Sequence, residues 1–185
     1  MRINFWAGAG AGKSTIASHT FSYLKQNKFS SVELVHEYIK DWVYDEKKPL
    51  DFDQIYIFGK QVHSEFRYLK NGCHIISDSP VLLNVFYAKR AGISFWQELL
   101  EIGKKFESSY PSYNIFLNRG NIDYVDAGRY HTEEEARIID REMLDFMECH
   151  LPDFAVYDSE NPQEICNFVL EELQRDSAKK DSENE

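Results

Sequence analysis

The sequence predicts a three-layer α/β fold, about five parallel strands covered on both faces by helices. Short apolar runs of strand length alternate along the chain with segments whose apolar residues recur in threes and fours. The first run breaks at once into a glycine-alternating loop that opens a helical segment. No linker or composition shift divides residues 1–174, which are expected to form one domain.

Arg2 to Trp6 (RINFW) reads as a strand, AGAGAG as a loop, and Lys13 to Asn27 as a helix through Ile16, Thr20, Tyr23 and Leu24. Val32 to His36 is a second, β-branched strand, and Pro49 interrupts the polar and aromatic stretch after it. From Asp51 to Lys70, Phe52, Ile55, Tyr56, Phe58, Val62, Phe66 and Leu69 fall at helical spacing, closed by Asn71-Gly72. His74 to Ser77 is a short buried-type strand, with Pro80 placed to open the next helix. Ile93 to Phe106 is an amphipathic helix, Tyr113 to Leu117 a strand, and residues 118–132 a polar, lid-like loop. Thr132 and Glu135 have capping-box spacing and open a helix to about His150. A strand from Phe154 to Tyr157 and a helix from Pro162 to Leu173 complete the fold, and the polar tail 175–185 is expected to be disordered.

Composition narrows the function. A chain of 185 residues, 43% hydrophobic and 15% aromatic, is too apolar for disorder and large enough for a real core. Its net charge of −10 gives no global positive field for nucleic acid or acidic membranes, so phosphate binding must be local. Cys73, Cys149 and Cys166 show neither CxxC nor Cys/His ligand spacing, which argues against disulfide and zinc frameworks and for reduced thiols in a cytoplasm. No run approaches the length of a membrane span and no signal peptide is evident, so no membrane role is expected.

Ala7-Gly8-Ala9-Gly10-Ala11-Gly12-Lys13-Ser14 fits the relaxed phosphate-loop pattern A/G-x4-G-K-S/T. Small residues let successive backbone N–H groups of Gly8 to Thr15 point inward as an anion nest, and the following helix adds its positive end. In that reading Lys13 reaches the β- and γ-phosphates of ATP, and the Ser14 hydroxyl ligates Mg²⁺. The position after a strand and before a helix is the context the motif requires, and it defines a P-loop NTPase fold.

The candidate partners of this loop lie at later strand ends. Asp78, in HIISDSP, is placed to hold Mg²⁺ or to polarise an acceptor hydroxyl, and equally to cap the next helix. Glu37, after the second strand, is placed to accept a proton, with Trp42 as a stacking aromatic. His36, of opposite strand parity, is expected to face packing. Arg119 and Arg129 flank the polar loop around Gly128 and are placed to close over a triphosphate. Gln61, on the aromatic-rich helix, carries an amide able to read a base edge.

The blocks AGAGAGKST, VELVHEYIKDWVYD, DQIYIFGKQ, HIISDSPVLLNVFYA and GRYHTEEEARIID resemble a family of small P-loop kinases met mainly in bacteriophages. Its relatives are described as nucleoside monophosphate kinase-like proteins, AAA-like ATP-binding proteins and 5-hydroxymethyluridine DNA kinases. The resemblance runs from about Met1 to His150. It implies ATP- and Mg²⁺-dependent transfer to a nucleotide-class acceptor, either a deoxynucleoside monophosphate or the hydroxymethyl group of 5-hydroxymethyluracil in DNA. By position it matches Lys13 and Ser14 to the phosphate loop, Glu37 to a strand-end acid, Asp78 to an Asp-Ser-Pro segment and Arg129 to a lid-side Gly-Arg. More distantly, Glu37 with Trp42 is similar to the acid and tryptophan pair of deoxyribonucleoside kinases, where the acid is the base. Ser79 stands where that group has arginine. The competing expectation is an acceptor-independent P-loop ATPase or switch acting on a protein partner.

Overall fold

The computed structural model describes residues 1–39, 42, 45, 47, 49–120, 132–151 and 153–183, with side chains to residue 178. Five parallel strands form one sheet in the order β2-β3-β1-β4-β5. They are β1 (Arg2–Trp6), β2 (Val32–Val35), β3 (His74–Ser77), β4 (Ser112–Asn118) and β5 (Ala155–Asp158). The helices are α1 (Lys13–Gln26), α2 (Asp53–Leu69), α3 (Val81–Arg90), α4 (Trp96–Ser109), α5 (Glu133–His150) and α6 (Pro162–Glu183). The predicted fold class is the observed one. Among the described residues, no helix is long and apolar enough to cross a membrane.

Strand parity sorts the core into two layers. Ile3 and Phe5 of β1 join Ile76, Ile115 and Leu117 against Ile16 and Leu24 of α1 and Ile165, Val169 and Leu173 of α6. On the opposite face, Trp6, Ile75 and Phe116 pack with Phe58 of α2, Leu82 and Val85 of α3, Phe106 of α4 and Met143 and Phe146 of α5. Close packing favours Gly103 of α4, because a Cβ there would stand 2.4 Å from Leu82 Cδ2 and that side chain would have to shift. The capping box at α5 is present in full, with Thr132 Oγ1 accepting from Glu135 N and the Glu135 carboxylate accepting from Thr132 N.

Two features depart from the sequence expectations. Helix α6 continues to Glu183, past Arg175, where a disordered tail is expected to begin. Its last turns lack an apolar stripe, and Arg175 pairs back onto Glu171 and Glu172 at helical spacing. The second departure is polar. Arg2, Asn4 and Trp6 share one face of β1, and the apolar-looking run RINFW therefore feeds a buried polar network. Arg2 Nη1 donates to Glu65 Oε2 at 3.1 Å, Arg2 also pairs with Glu107, and its guanidinium lies 4.7 Å from the centre of the Phe106 ring. Asn4 Nδ2 and Trp6 Nε1 both donate to Asn114 Oδ1.

Burial pushes the Glu65 carboxyl above its ordinary range, against the pull of Arg2 and of the Gln61 hydrogen bond. The folded chain therefore binds this proton more tightly than the unfolded chain. Its stabilising effect is complete below the unfolded value of about 4.3 and is lost as pH rises through the raised folded value. Glu65→Gln keeps an acceptor for Arg2 and removes the titration, so its unfolding free energy should fall less than that of the parent as pH rises from about 4.5 toward neutrality. Urea unfolding across that range checks it.

Candidate phosphate-loop site

Strand β1 lies between β3 and β4, so the chain leaving its carboxyl end enters the crevice where the crossover direction reverses. The loop Ala7 to Gly12 turns there into α1. Gly10 and Gly12 have φ of 83° and 84°, a backbone conformation that only glycine adopts without strain. Gly8 is small for another reason, since a Cβ would stand 2.7 Å from Asp140 Oδ1 and 2.9 Å from the carbonyl of Ala136. Gly12 is the N-cap of α1, no side chain caps that end, and no acid stands in the first turn. Unlike the fully capped α5, α1 has its first N–H groups left for an external acceptor.

The groups around this end converge from several strand ends. Lys13 Nζ folds back onto the carbonyls of Ala7 and Gly8 at 2.7 and 3.0 Å. Burial lowers its pKa, while Glu37, Asp78 and Asp140 act in the opposite sense. Ser14 Oγ donates to Asp78 Oδ2 at 2.5 Å. Asp78 is 2% exposed, and its Oδ1 is buried with no hydrogen-bond partner among the described residues. Helix α3 begins at Val81 with Pro80 as its N-cap and no side-chain cap, so Asp78 does not cap it. Glu37 is half-buried just beyond β2, and its charge acts on both Lys13 and Tyr87. Tyr87 of α3 has a hydroxyl whose pKa is raised, first by burial and then by Glu37 and Asp140.

Arg119, just after β4, is 4% exposed. Its Nε donates to Asp140 Oδ2 at 2.6 Å and its Nη1 to the Ala9 carbonyl at 3.0 Å. Asp140 Oδ1 accepts from Gly8 N at 2.6 Å. Sequence reasoning misses Asp140, which is one acid among many on α5. The helical spacing that places it one turn beyond buried Ala136 is the available signal. A cavity of about 240 Å³ opens beside these residues, lined by Phe116, Asn118, Arg119, Arg137, Asp140, Arg141 and Leu144.

Other expected site residues fall differently. Gln61 is 1% exposed, and its amide nitrogen donates to Glu65 Oε1 at 3.1 Å and Ser77 Oγ at 3.4 Å. It belongs to the buried network rather than to a base-reading edge, because α2 turns this position inward. His36 does not face packing: β2 ends at Val35, parity no longer applies, and the exposed imidazole has Nδ1 3.9 Å from Asp78 Oδ2. Trp42 is half-buried, with its ring 6.4 Å from that of Tyr56, which also meets Tyr38 edge-on and through a 3.0 Å hydroxyl contact. Thr15 is exposed in the first turn of α1. Arg129, with Gly128, lies outside the described residues.

No family model matches the chain, and no curated protein sequence is significantly similar to it. Solved structures share its fold. NadR protein in complex with NR superposes with a TM-score of 0.63 at 15% identity, over 84% of this chain and 45% of that one. This chain thus spans less than half of that neighbour's length. Deoxyadenosine kinase from M. mycoides with bound dATP has a TM-score of 0.55 at 20% identity, over 94% of this chain and 100% of that one. The same kinase with products dCMP and dCDP gives 0.57 at 21% identity, over 95% of this chain and 100% of that one. At these identities the likeness shows the fold alone, a parallel sheet between two layers of helices.

The lowered pKa of Lys13 means that its ammonium opposes folding at neutral pH, an opposition relieved as pH rises through the folded value. Lys13→Met removes that buried charge and should still fold without ligand, while losing triphosphate binding. Thermal unfolding with and without ATP tests both halves.

Proposed function

We propose that this protein is an ATP- and Mg²⁺-dependent phosphotransferase that moves the γ-phosphoryl group of ATP to a nucleotide-class acceptor. One observation carries the reading: at the mouth of an uncapped helix N-terminus, Ser14 Oγ and Asp78 Oδ2 stand 2.5 Å apart while Asp78 Oδ1 is buried without a partner. A hydroxyl and a carboxylate are hard oxygen donors, and Mg²⁺ takes one or two such protein ligands and fills its shell with phosphates and water. The orphaned oxygen fits that donor set. Bound there, Mg²⁺ would supply charge neutralisation at the β- and γ-phosphates.

The chain's own residues divide the remaining work. Backbone N–H groups of Ala9 to Thr15 cradle the phosphates, Gly8 N being held by Asp140, and Lys13 exchanges its loop carbonyls for phosphate oxygens. Arg119 lies against the loop and stabilises charge that develops on transfer. The Asp78 bond to Ser14 supports Glu37, rather than Asp78, as the group that takes the acceptor proton. The acceptor oxygen then bonds to the γ-phosphorus, the bond from that phosphorus to the β–γ bridging oxygen breaks, and ADP leaves. Trp42, Tyr38 and Tyr56 stand beyond Glu37 as an aromatic wall suited to a flat base. Arg129 is assigned to the same lid-side role as Arg119 on sequence grounds. Ligands in the neighbours, NR in NadR and dATP or dCMP in deoxyadenosine kinase, support an acceptor of nucleoside or nucleotide type.

The deciding measurement is transfer of γ-labelled phosphate from ATP to nucleosides, monophosphates, nicotinamide riboside, plain DNA and 5-hydroxymethyluracil DNA. Label is expected on one small-molecule class, lost with Lys13→Ala and reduced by about 100-fold or more in Asp78→Asn and Glu37→Gln. Label on 5-hydroxymethyluracil DNA alone would move the acceptor to the polymer. Label released only as free phosphate, at one rate with every acceptor, would overturn the kinase reading in favour of an ATPase.

A further inference from the structure

Asp140 touches both the phosphate loop and the arginine beside it, and the phosphotransfer scheme gives it no task. Its two oxygens are divided: Oδ1 accepts from Gly8 N and Oδ2 from Arg119 Nε, each at 2.6 Å. Arg119 Nη1 donates onward to the Ala9 carbonyl at 3.0 Å, so two edges of the planar guanidinium are committed and its orientation is determined. The third nitrogen, Nη2, is buried and has no hydrogen-bond partner among the described residues. It lies 3.2 Å from where a Cβ on Gly8 would stand, directly over the loop. Helix α5 is pressed onto the loop at the same point, with the Ala136 carbonyl 2.9 Å from that position.

A buried guanidinium N–H group without an acceptor costs free energy unless a ligand supplies one. We infer that Asp140 is the positioning residue of this site: one carboxylate couples the shape of the phosphate loop to the angle of Arg119, so that Nη2 is presented to a bound triphosphate. The inference rests on the phosphotransferase reading and deepens it. Asp140 acts through Arg119 and touches no phosphate itself, since a carboxylate facing a polyphosphate would repel it.

The variants separate positioning from scaffolding. Asp140→Asn keeps an amide oxygen for Gly8 N but turns an N–H group toward Arg119 Nε, where the carboxylate had accepted. Calorimetric titration of ATP and of inorganic tripolyphosphate is carried out on the parent, Asp140→Asn, Arg119→Met and the double variant, each checked for an intact melting transition. Asp140→Asn is expected to weaken both ligands by about tenfold in the parent, and by less than about twofold in the Arg119→Met background. Equal losses in both backgrounds would overturn the inference and leave Asp140 a brace for Gly8. Arg119→Lys gives a second reading that needs no change at Asp140. Lysine keeps the charge but cannot hold Asp140, Ala9 and a phosphate with a planar fork, so affinity should fall by a similar factor. Undiminished binding by Arg119→Lys would sink the orienting role. A parent protein that binds neither ligand would overturn the phosphotransferase reading itself, a result distinct from additive losses in a protein that binds.

Discussion

A helix that begins with no side-chain cap and no acid in its first turn has backbone N–H groups without internal acceptors, and α1 begins this way. The rest of the site is arranged around that deficit. Gly10 and Gly12 bend the chain so that the loop wraps the helix end, and β1 between β3 and β4 delivers the loop to the crevice of the sheet. Even Lys13 folds back onto loop carbonyls, with Nζ donating to Ala7 and Gly8. In a chain of net charge −10, the proposed phosphate binding rests on this local concentration of donors rather than on a basic surface.

Three carboxylates stand around the same point, and their geometry gives them different tasks. Asp78 is bound to Ser14 with one oxygen spare, Asp140 is spent on Gly8 and Arg119, and Glu37 acts on Lys13 and Tyr87 through space. Each offsets part of the cost of burying Lys13. In the ligand-free protein the cluster thus sets acidic side chains against the buried cations.

Behind the site, one face of the sheet carries polar groups through the core. Arg2, Glu65, Gln61 and Ser77 form a hydrogen-bonded chain that ends next to Asp78 in sequence, and Ser79 N donates back to Ser77 Oγ at 3.3 Å. Such a network is expensive to half-satisfy, so it defines the register of α2 on β3 more strictly than apolar contacts would. That strictness helps to position Asp78, since β3 leads directly into it.

Alternating apolar runs, the small-residue loop, Thr132 with Glu135 and the strand-end acids are all legible in the sequence, because strand parity, helix periodicity and capping depend on near neighbours in the chain. The same local rules misjudge Gln61, His36 and the residues after Arg175. Gln61 and His36 take their orientation from which side of α2 meets the sheet and from where β2 stops pairing. The Asp78–Ser14 contact spans 64 residues, Arg119–Ala9 spans 110 and Gly8–Asp140 spans 132. The sequence by itself determined the fold class, the phosphate loop and the kinds of side chain at the strand ends. Only the tertiary structure decided which acid meets Ser14 and which holds Arg119, because those pairings arise when distant strand ends and helix faces converge and no local periodicity encodes them.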